Sequence, residues 1–422
     1  MKAKRVAILG LGYVGLPLAA RTVDCGMSVV GIDVREEIIT GITDGRSHVD
    51  DVSDSQVKDM VAKGFQPVRL QTPISPADVF VICVPTPLSN EGGPDLTAVE
   101  HAARSIATGL RPGNLVVLES TSYPGTTEEV VKPILETSGL RAGVDFHLAF
   151  SPERIDPGRA SHTFASVPKV VGGLTPGCRD AAVAFYGQLV DRVVVTQGLR
   201  EAEMAKLLEN TYRHVNIALM NEMARFCDLL GIDIWDSIQA AESKPFGFQR
   251  FDPGPGVGGH CIPIDPNYLG HFIEAQTGER FRFVHLAQEI NAAMPGYVVS
   301  RIERMLTNRG LDLSSACVLL LGVTYKPNVA DDRETPARAL TELLASRGAS
   351  VLVHDPLLPH WKVDGVHVTN IEELEKALNT CDIAVLMQAH ASFDLSQIAR
   401  KAPLLLDTRG VVSTDSTTIE RL

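Results

Sequence analysis

The sequence has no long uninterrupted hydrophobic run and no cysteine pattern typical of a metal site. No stretch reaches the roughly 18 consecutive apolar residues that a membrane span needs. The seven cysteines are scattered and odd in number, without a CxxC pair or a histidine at zinc-ligand spacing. We therefore expect reduced thiols, a cytoplasmic location, no membrane association and no bound metal.

Basic clusters, low-complexity segments and short-period repeats are missing as well. The formal net charge of -12 would repel a phosphate backbone, so nucleic acid is not an expected partner. Hydrophobic residues make up 45% and charged residues 21% of the chain, as in soluble globular domains. A length of 422 residues predicts two or three domains, each with its own core.

The N-terminal segment has two interpretations. Lys2, Lys4 and Arg5 precede the apolar run "VAILGLGYVGLPLAA", which resembles the basic and apolar regions of a signal peptide. The run, however, contains three glycines at a meaningful spacing and leads into the strand-like "SVVGID". We therefore favour a folded domain over a targeting segment.

Short β-branched runs alternate with longer helical patterns at both ends of the chain. The first part contains "RVAIL", "SVVGID", "DVFVICV", "NLVVLES" and "DFHLAF", and a second series from residue 316 contains "ACVLLLGV", "SVLVHD", "DIAVLM" and "PLLLD". Such alternation predicts parallel sheets with helices on both faces. The predicted fold class is α/β, with two doubly wound Rossmann-like domains joined by a central helical region.

The central region contains one long predicted helix over residues 201–231. Its apolar residues recur at three- and four-residue spacing and a glycine follows its end; they are Met204, Leu208, Val215, Leu219, Met223 and Leu230. A helix this long and apolar needs a partner, and we expect a homodimer through it. The predicted domains are 1–198 for the cofactor, 199–312 for dimerisation and catalysis, and 313–422 for the substrate.

The first glycine motif is in the right context for a dinucleotide. Gly10, Gly12 and Gly15 follow the strand "RVAIL" and open a helix, so that a pyrophosphate can approach the backbone and the helix N-terminus. Asp33 ends the next strand, where its carboxylate can bind ribose hydroxyls and repel a 2'-phosphate. NAD is therefore predicted over NADP, although Arg35 lies close to Asp33 in the sequence. The alternative is that the glycines serve only helix–strand packing.

A second distinctive stretch is "PGPGVGGHCIPID", residues 253–265. Its glycines and prolines can bring the backbone close to a ligand and expose Cys261, beside His260. The alternative is that Cys261 is a small buried packing residue. Lys206 and Asn210 lie one turn apart on the long helix, where an ammonium and an amide can stabilise the oxyanion that forms when a thiolate attacks an aldehyde.

Seven motifs, in order over nearly the whole chain, carry a family resemblance. They are "GLGYVG", "VPTP", "ESTSYPGTT", "SPERIDPG", "EMAKLLENTYR", "PGPGVGGHCIPIDP" and "GVTYKPNVADDRETPA". Together they resemble the UDP-glucose/GDP-mannose dehydrogenase family. The resemblance implies oxidation of a sugar C6 alcohol to a carboxylate, with two hydride transfers to NAD through a thiohemiacetal and a thioester.

The resemblance also implies roles for individual residues. The implied catalytic residues are Cys261, Lys206, Asn210, Asp265, Thr121 and Glu153. The implied NAD-binding residues are Gly10, Gly12, Tyr13, Val14, Gly15, Asp33, Arg35, Thr86, Thr121 and Arg333. The implied UDP-sugar-binding residues are Glu153, Arg154, Lys206, Asn210, Phe251, Gly254, Gly258 and Lys326. Alternatives are turn-capping for the two threonines, helix-capping for Asp265, and plain surface charges for Lys326 and Arg333.

Two departures from the UDP-glucose enzymes bear on the sugar. Ile264 stands where they have lysine, and "RIDPG" follows "SPE" where they have an acid. With "KPFGF" at 244–248, the chain resembles the UDP-N-acetylglucosamine 6-dehydrogenase branch, and the UDP-N-acetylmannosamine and UDP-glucose enzymes are the alternatives. A single-hydride β-hydroxyacid dehydrogenase and a non-catalytic NAD-responsive regulator are more remote possibilities.

Overall fold

The structure, a computed structural model, describes residues 4–70, 74–88, 93–154, 163–259, 262–413 and 416–422. The chain separates into two compact units. The first comprises Met1–Glu209 and Asn267–Gly278, and the second comprises Asn210–Pro266 and Glu279–Leu422. The three-domain boundaries 1–198, 199–312 and 313–422 stay a prediction.

The first unit is built on a sheet with the strand order β3-β2-β1-β4-β5-β6-β7-β8 among the described residues. Its strands are β1 Arg5–Leu9, β2 Ser28–Asp33, β3 Gln66–Arg69, β4 Val79–Ile82, β5 Leu115–Leu118, β6 His147–Phe150, β7 Lys169–Gly173 and β8 Val193–Val195. Every pairing is parallel except β6 with β7. Because β1 lies in the interior of this order, the turn after it is at a switch point of the sheet.

Helices connect the parallel strands of this unit. They are α1 Gly15–Asp24, α2 Glu36–Thr43, α3 Asp54–Ala62, α4 Thr97–Ala107, a π-helical turn Thr127–Val131, α5 Lys132–Glu136 and α6 Pro176–Tyr186. Successive strand side chains point to opposite faces, so Val6 and Ile8 join one buried cluster and Ala7 and Leu9 another. The sheet is thus covered on both faces, as the near-continuous apolar strands predict.

The second unit contains a parallel sheet with the strand order β11-β10-β9-β12-β13-β14 in the described chain. Its strands are β9 Cys317–Leu321, β10 Ser350–His354, β11 Thr369–Asn370, β12 Ile383–Leu386, β13 Leu405–Asp407 and β14 Ile419–Arg421. Its helices include α8 Ile234–Glu242, α10 Arg282–Thr307, a 3-10 turn Leu313–Ser315, α11 Pro336–Ser346, α12 Leu374–Thr380 and α13 Leu395–Lys401. This arrangement confirms the predicted α/β class and the second doubly wound domain.

Two helices contribute residues to both units, and they are α7 Leu199–Leu230 and α9 Asp265–Thr277. Helix α7 confirms the predicted long helix. It ends where Gly231, with a positive φ of 68°, adopts the left-handed conformation that terminates many helices. Several large apolar side chains of α7 are exposed, among them Leu219, Met223, Phe226 and Leu230.

The described residues show neither a membrane-spanning helix nor a metal-binding cluster. None of their helices is both long and apolar enough to cross a membrane. Across the same part of the chain, no group of three or more histidine, cysteine or acidic side chains is arranged to hold a metal. The six cysteines within it are free thiols.

Candidate active site

The three glycines after β1 have different surroundings. Gly10 has a positive φ of 92°, and a Cβ there would lie 2.5 Å from the carbonyl oxygen of Cys83. A Cβ on Gly15 would lie 1.8 Å from the carbonyl oxygen of Gly10, whereas a Cβ on Gly12 would meet no heavy atom within 4 Å. Gly10 and Gly15 are therefore required for packing, and the space beside Gly12 is open to a ligand.

The N-terminus of α1 adds to this opening. No side chain caps the helix, whose N-cap residue is Val14, and Tyr13 is half-buried beside it. The Leu16 amide donates to the Gly12 carbonyl at 3.1 Å and Pro17 has no N–H, so it is the positive end of the helix dipole, more than a row of unpaired amides, that favours a phosphate group there. The loop and helix therefore fit the diphosphate of a dinucleotide.

Asp33, at the end of β2, lies against the same loop. One of its carboxylate oxygens accepts from the Leu11 amide at 3.0 Å, and the other accepts from the Arg35 amide at 3.0 Å. The Arg35 side chain lies 3.6 Å from Asp33 and is half exposed. Since each carboxylate oxygen accepts more than one hydrogen bond, Asp33 keeps capacity for ribose hydroxyls.

His48 supports the glycine loop from the other side of Leu11. Its Nε2 lies 2.8 Å from the Leu11 carbonyl oxygen. Burial lowers the pKa of His48, so the ring is neutral at physiological pH and Nε2 carries the proton. His48 thus fixes a residue of the loop through a backbone group, and no local pattern in the sequence indicated this contact.

Two further predicted threonines lie at the ends of β4 and β5. Thr86 is buried, and its carbonyl oxygen accepts from the hydroxyl of Tyr268. Thr121 is half-buried and precedes Ser122, whose buried Oγ has no hydrogen-bond partner among the described residues. A buried hydroxyl without a partner is unfavourable unless water or a ligand satisfies it.

The segment after Thr121 is fixed to α7 by Glu203. This buried carboxylate accepts from the amides of Gly125 at 2.6 Å and Thr127 at 2.9 Å, and from the Thr127 hydroxyl at 2.7 Å. Burial raises its pKa to about 7, against these hydrogen bonds. Glu203 therefore connects the "ESTSYPGTT" segment to the helix that carries Lys206.

Lys206 is buried and donates to the backbone carbonyl of Glu153 at 2.6 Å. The carboxylate of Glu153 lies 3.3 Å from the ammonium of Lys169, which also lies 3.0 Å from Glu119. The structure thus brings the predicted residues Lys206 and Glu153 together. It adds Lys169 and Glu119, which the sequence analysis did not select.

Arg154, a predicted sugar-binding residue, is held by its own unit. Its guanidinium forms an ion pair with Glu209 at 2.6 Å and donates to the Pro168 carbonyl at 2.7 Å. These contacts fix the Arg154 side chain and favour a structural role for Arg154. Its binding to a sugar stays a prediction.

In the second unit, Asn210 and Asp265 form one pair. The side-chain amide of Asn210, on α7, donates to the carboxylate of Asp265, which is buried and begins α9. The pair confirms neither the proton-handling role nor the helix-capping alternative, but it orients the Asn210 side chain. Cys261, with His260, lies outside the described residues.

The loop 253–259 is anchored by a buried polar network. The Gly254 amide donates to Asn221 at 2.8 Å, and Asn221 donates to Asn291 at 2.8 Å. Asn291 in turn lies 3.4 Å from Nδ1 of His214. Burial lowers the pKa of His214 to about 4, so the ring is neutral in the folded protein. Three side chains from α7 and α10 therefore hold the backbone at Gly254.

Two glycines of this loop make room for protein atoms. A Cβ on Gly258 would lie 2.6 Å from the Glu334 carbonyl oxygen, and one on Gly259 would lie 2.7 Å from the Tyr325 ring. The Gly259 amide donates to the Arg333 carbonyl at 2.9 Å. These glycines therefore have a structural role, because they make room for the segment 325–334. The interpretation that they also make room for a ligand stays a prediction.

The remaining predicted residues of this unit have defined neighbours. Phe251 packs its ring against that of Tyr212, with centroids 5.7 Å apart. The half-buried Lys326 accepts from the Thr324 hydroxyl through its carbonyl at 2.8 Å. Arg333 pairs with Asp331 at 2.6 Å. Ligand contacts of Phe251, Lys326 and Arg333 stay predictions.

Three consecutive segments of the chain match the domains of one protein family. Residues 4–190 match the UDP-glucose/GDP-mannose dehydrogenase family NAD binding domain, 200–293 its central domain and 319–414 its UDP binding domain. This chain belongs to the UDP-glucose/GDP-mannose dehydrogenase family. It is an NAD-dependent nucleotide-sugar dehydrogenase, and its UDP binding domain indicates a UDP-sugar substrate.

Relatives of this dehydrogenase are similar over nearly their full length. A UDP-N-acetyl-D-mannosamine dehydrogenase of Pyrococcus horikoshii is 35% identical over 92% of this chain and 90% of its own. An NDP-N-acetyl-D-galactosaminuronic acid dehydrogenase of Ralstonia nicotianae is 36% identical over 97% of this chain and 96% of its own. A solved structure of the Pyrococcus horikoshii UDP-D-ManNAc dehydrogenase has a TM-score of 0.88 at 33% identity, covering 99% of this chain and 98% of that one.

Sequence reasoning missed several residues that support the predicted site segments within one or the other unit of this dehydrogenase. They are His48, Glu119, Lys169, Glu203, His214, Asn221 and Asn291. A signal existed for Lys169 and Glu119, because each is a charged residue at the end of an apolar strand run. The others contact backbone groups or side chains of segments far away in the sequence, and no local pattern predicts such contacts.

Proposed function

We propose that this dehydrogenase oxidises the C6 alcohol of a UDP-N-acetylhexosamine to the carboxylate in two hydride transfers. The observation that carries the proposal is the type of sugar in the names of the relatives. The Pyrococcus and Ralstonia enzymes, similar over at least nine tenths of the chain, are both named for 2-acetamido sugars. The family membership supports the dehydrogenase chemistry independently of that choice of sugar.

UDP-N-acetylglucosamine is our first choice among the sugars. Ile264, where UDP-glucose enzymes have lysine, and "KPFGF" at 244–248 support this choice. UDP-N-acetylmannosamine is the second candidate, because relatives from Pyrococcus horikoshii and Escherichia coli, each 35% identical, carry that name. UDP-glucose is a third.

In this proposal the first unit holds NAD. When bound, NAD supplies the hydride acceptor for both oxidations. The glycine loop at Gly12 and the N-terminus of α1 hold the diphosphate, Asp33 holds a ribose, and Thr86 binds the ribose or the diphosphate. Arg333 is the cofactor residue proposed from the second unit. The carboxylate of Asp33 disfavours the 2'-phosphate of NADP.

The proposed chemistry of the sugar is covalent at Cys261. The first oxidation converts the C6 alcohol to an aldehyde, and the thiolate adds to its carbonyl carbon to form a thiohemiacetal. Loss of the second hydride gives a thioester, which water hydrolyses to the carboxylate while the thiol is restored. Lys206 and Asn210 stabilise the C6 oxygen, and Asp265, Thr121 and Glu153 assist the proton transfers and the water.

A panel of UDP-sugars assayed for NADH tests the proposal. We expect two NADH per sugar and a higher kcat/KM for UDP-N-acetylglucosamine than for UDP-glucose. One NADH per sugar would mean that the reaction stops at the aldehyde, and no NADH with any UDP-N-acetylhexosamine would refute the proposed substrate class. A preference for UDP-N-acetylmannosamine would change the epimer and keep the reaction.

Cys261→Ser separates the covalent mechanism from a packing role of the thiol. A serine hydroxyl ionises far less readily than a thiol of pKa about 8.5, so turnover should fall by several orders of magnitude. Intact-protein mass spectrometry should detect any slowly hydrolysed ester on the serine. Near wild-type formation of the carboxylate would exclude the covalent route.

We propose that the enzyme is a homodimer that buries the exposed apolar face of α7. Leu219, Met223, Phe226 and Leu230 are 48%, 41%, 52% and 72% exposed, and their spacing places them along one side of the helix. Phe226→Asp should yield monomers in light scattering after size exclusion. Val144→Asp, at a 67% exposed valine outside α7, is the matched control. A monomeric wild type would refute this assembly.

A further inference from the structure

The first unit contains a buried cluster of charges beside a candidate catalytic residue. Lys169 is the first residue of β7, and only 5% of its side chain is exposed. Its ammonium lies 3.0 Å from Glu119 and 3.3 Å from Glu153. The second oxygen of Glu119 accepts from the buried hydroxyl of Tyr186. Lys169 thus connects the two carboxylates.

Stability alone is a weak explanation for this cluster. Removing an ion from water costs several kcal/mol, and apolar residues of similar volume often stabilise a core equally well. The aromatic rings of Phe164 and Tyr186, 5.4 and 5.3 Å from the ammonium, already surround Lys169 with apolar surface. A buried ammonium between two carboxylates therefore points to a requirement beyond packing.

Glu153 connects the cluster to Lys206. One of its carboxylate oxygens is held by Lys169, and the other accepts from the Arg154 amide at 2.8 Å. Its backbone carbonyl accepts from the ammonium of Lys206 at 2.6 Å. A shift of Glu153 therefore moves both its own carboxylate and the acceptor that orients Lys206.

We propose that Lys169 is a positioning residue for the dehydrogenase, holding Glu153 ionised and in place and, through the Glu153 carbonyl, orienting Lys206. This inference rests on the proposed function, because only that proposal assigns Glu153 and Lys206 a role in the reaction of the substrate. Lys169 itself touches neither sugar nor cofactor in this proposal. Glu119 and Tyr186 complete the support by holding the other side of the Lys169 ammonium.

The charges around Glu153 fit this role. Burial alone would lower the pKa of Lys169, but Glu119 and Glu153 outweigh it and raise the pKa, so the lysine stays cationic. Burial raises the pKa of Glu119 despite Lys169. Titratable groups around Glu153 include Lys169, whose ammonium lies 3.3 Å from the carboxylate, and Lys206, which donates to the backbone carbonyl. The acidic neighbours Glu119 and Cys83 also interact electrostatically with Glu153.

The central experiment compares kcat–pH profiles of wild type and Lys169→Met. Loss of the ammonium disfavours the ionised form of Glu153, so the acidic limb should move to higher pH by about 1–3 units. Misplacement of Glu153 and Lys206 should lower the maximal kcat by about 10- to 100-fold. The KM for UDP-sugar should change far less.

Two further variants keep the test interpretable. Lys169→Arg retains the charge and should restore the pH profile, and Glu119→Gln with Lys169→Met removes one charge of each sign in case the single variant does not fold. Arg301→Met, at a buried arginine paired with Asp228 and Glu420, controls for destabilisation. It should lower Tm without moving the acidic limb.

A folded Lys169→Met enzyme with the wild-type acidic limb and kcat would overturn the inference and leave the proposed function intact. The inference would also be overturned if Lys169→Met and the Glu119→Gln/Lys169→Met double variant had a lower Tm but kept the wild-type kcat and acidic limb. NADH production by the wild type is measured first, because a wild type without turnover on any UDP-sugar would refute the proposed function itself, and this inference with it.

Discussion

The turn after the first strand is built in the same way in the two sheets. Gly10 after β1 and Gly322 after β9 both have positive φ, 92° and 76°. The following amide donates to an aspartate that follows the second strand or ends it: Leu11 to Asp33 at 3.0 Å and Val323 to Asp355 at 2.6 Å. A Cβ on either glycine would collide with a neighbouring carbonyl oxygen, at 2.5 and 2.8 Å.

The two aspartates differ in the number of hydrogen bonds that their carboxylates accept within their own unit. Asp33 accepts from two backbone amides and lies 3.6 Å from a half-exposed arginine side chain. Asp355 accepts from three backbone amides and from Nε2 of the buried His390 at 3.3 Å. The carboxylate at the first sheet keeps room for a ligand, whereas the one at the second sheet supports the backbone.

The helices that follow differ in the same sense. Helix α1 begins soon after Gly10 and has no side-chain cap. Helix α11 begins at Pro336, after the long segment 323–335, and the Thr335 hydroxyl accepts from its Ala337 amide. The first sheet therefore presents an uncapped helix N-terminus at which a phosphate can bind, whereas at the second sheet the Thr335 hydroxyl already accepts from an amide of the first turn. The comparison teaches that one type of turn can leave room for a ligand or only support the fold, depending on which hydrogen-bond donors of the protein surround it.

Substitutions of Gly15 and Gly12 by alanine should give the largest difference in Tm. Gly15→Ala places a Cβ 1.8 Å from a backbone oxygen, so we expect the free energy of unfolding to fall by about 3 kcal/mol and Tm to fall with it. Gly12→Ala meets open space, so Tm should be unchanged while NAD binding weakens. Calorimetry with NAD and thermal unfolding measure both. Equal loss of Tm in the two variants would mean that Gly12 also serves packing.

The two units should respond oppositely to pH. Burial raises the pKa of Glu203 to about 7, so between about pH 4.5 and 7 the folded protein holds a proton that the unfolded chain has lost. Its contribution to the free energy of unfolding therefore falls as pH rises. Burial lowers the pKa of His214 to about 4, so between about pH 4 and 6.5 its contribution rises with pH.

Each of these contributions is worth about 3 kcal/mol across its window. In denaturant titrations from pH 4.5 to 7, Glu203→Gln should make stability rise more steeply with pH than in the wild type. His214→Phe should make it fall more steeply. Parallel curves for wild type and a variant would show that the corresponding group is not titrating as described.

Asp355→Asn and Asp33→Asn should separate fold from ligand. Asp355→Asn weakens hydrogen bonds to a buried carboxylate and should cost about 2 kcal/mol of stability. Asp33→Asn should chiefly weaken NAD binding and narrow its advantage over NADP, because the amide no longer repels a 2'-phosphate. Tm and the NAD:NADP ratio are the two readouts. An unchanged ratio in Asp33→Asn would place the ribose elsewhere.

The smallest expected effect concerns the cap of α11. Thr335→Ala removes an N-cap hydroxyl and should cost about 1 kcal/mol without changing NAD affinity. Thr335→Ser is the matched control, since it keeps the hydroxyl. A Thr335→Ala enzyme with altered NAD affinity would contradict the assignment of this helix end to the fold alone.

Local patterns predicted the first sheet and its loop well. The glycines at 10, 12 and 15 and the acid at 33 lie within one strand–turn–helix–strand unit, so their spacing determines their geometry. Lys169 and Glu119 could not be paired in this way, because they meet only through the strand order β5-β6-β7 with its one antiparallel step. Tertiary pairing of strands carries that information.

The loop 253–259 shows the same limit from another side. Its glycines predicted close approach of the backbone to something, and the structure shows close approach at Gly258 and Gly259. What approaches is Tyr325 and its neighbours, distant in sequence. A missing side chain indicates that space is needed, but it does not identify the occupant.

The contact between this loop and Tyr325 has an evolutionary consequence. Gly258 and Gly259 have no atoms to give up, and the Cβ and ring of Tyr325 occupy the space where their side chains would lie. Replacing Tyr325 would remove only part of this constraint, because Gly259 also has a positive φ of 87° and a Cβ on Gly258 would still lie 2.6 Å from the Glu334 carbonyl oxygen. In deep mutational scanning, both glycines should therefore tolerate substitution poorly whichever residue stands at 325.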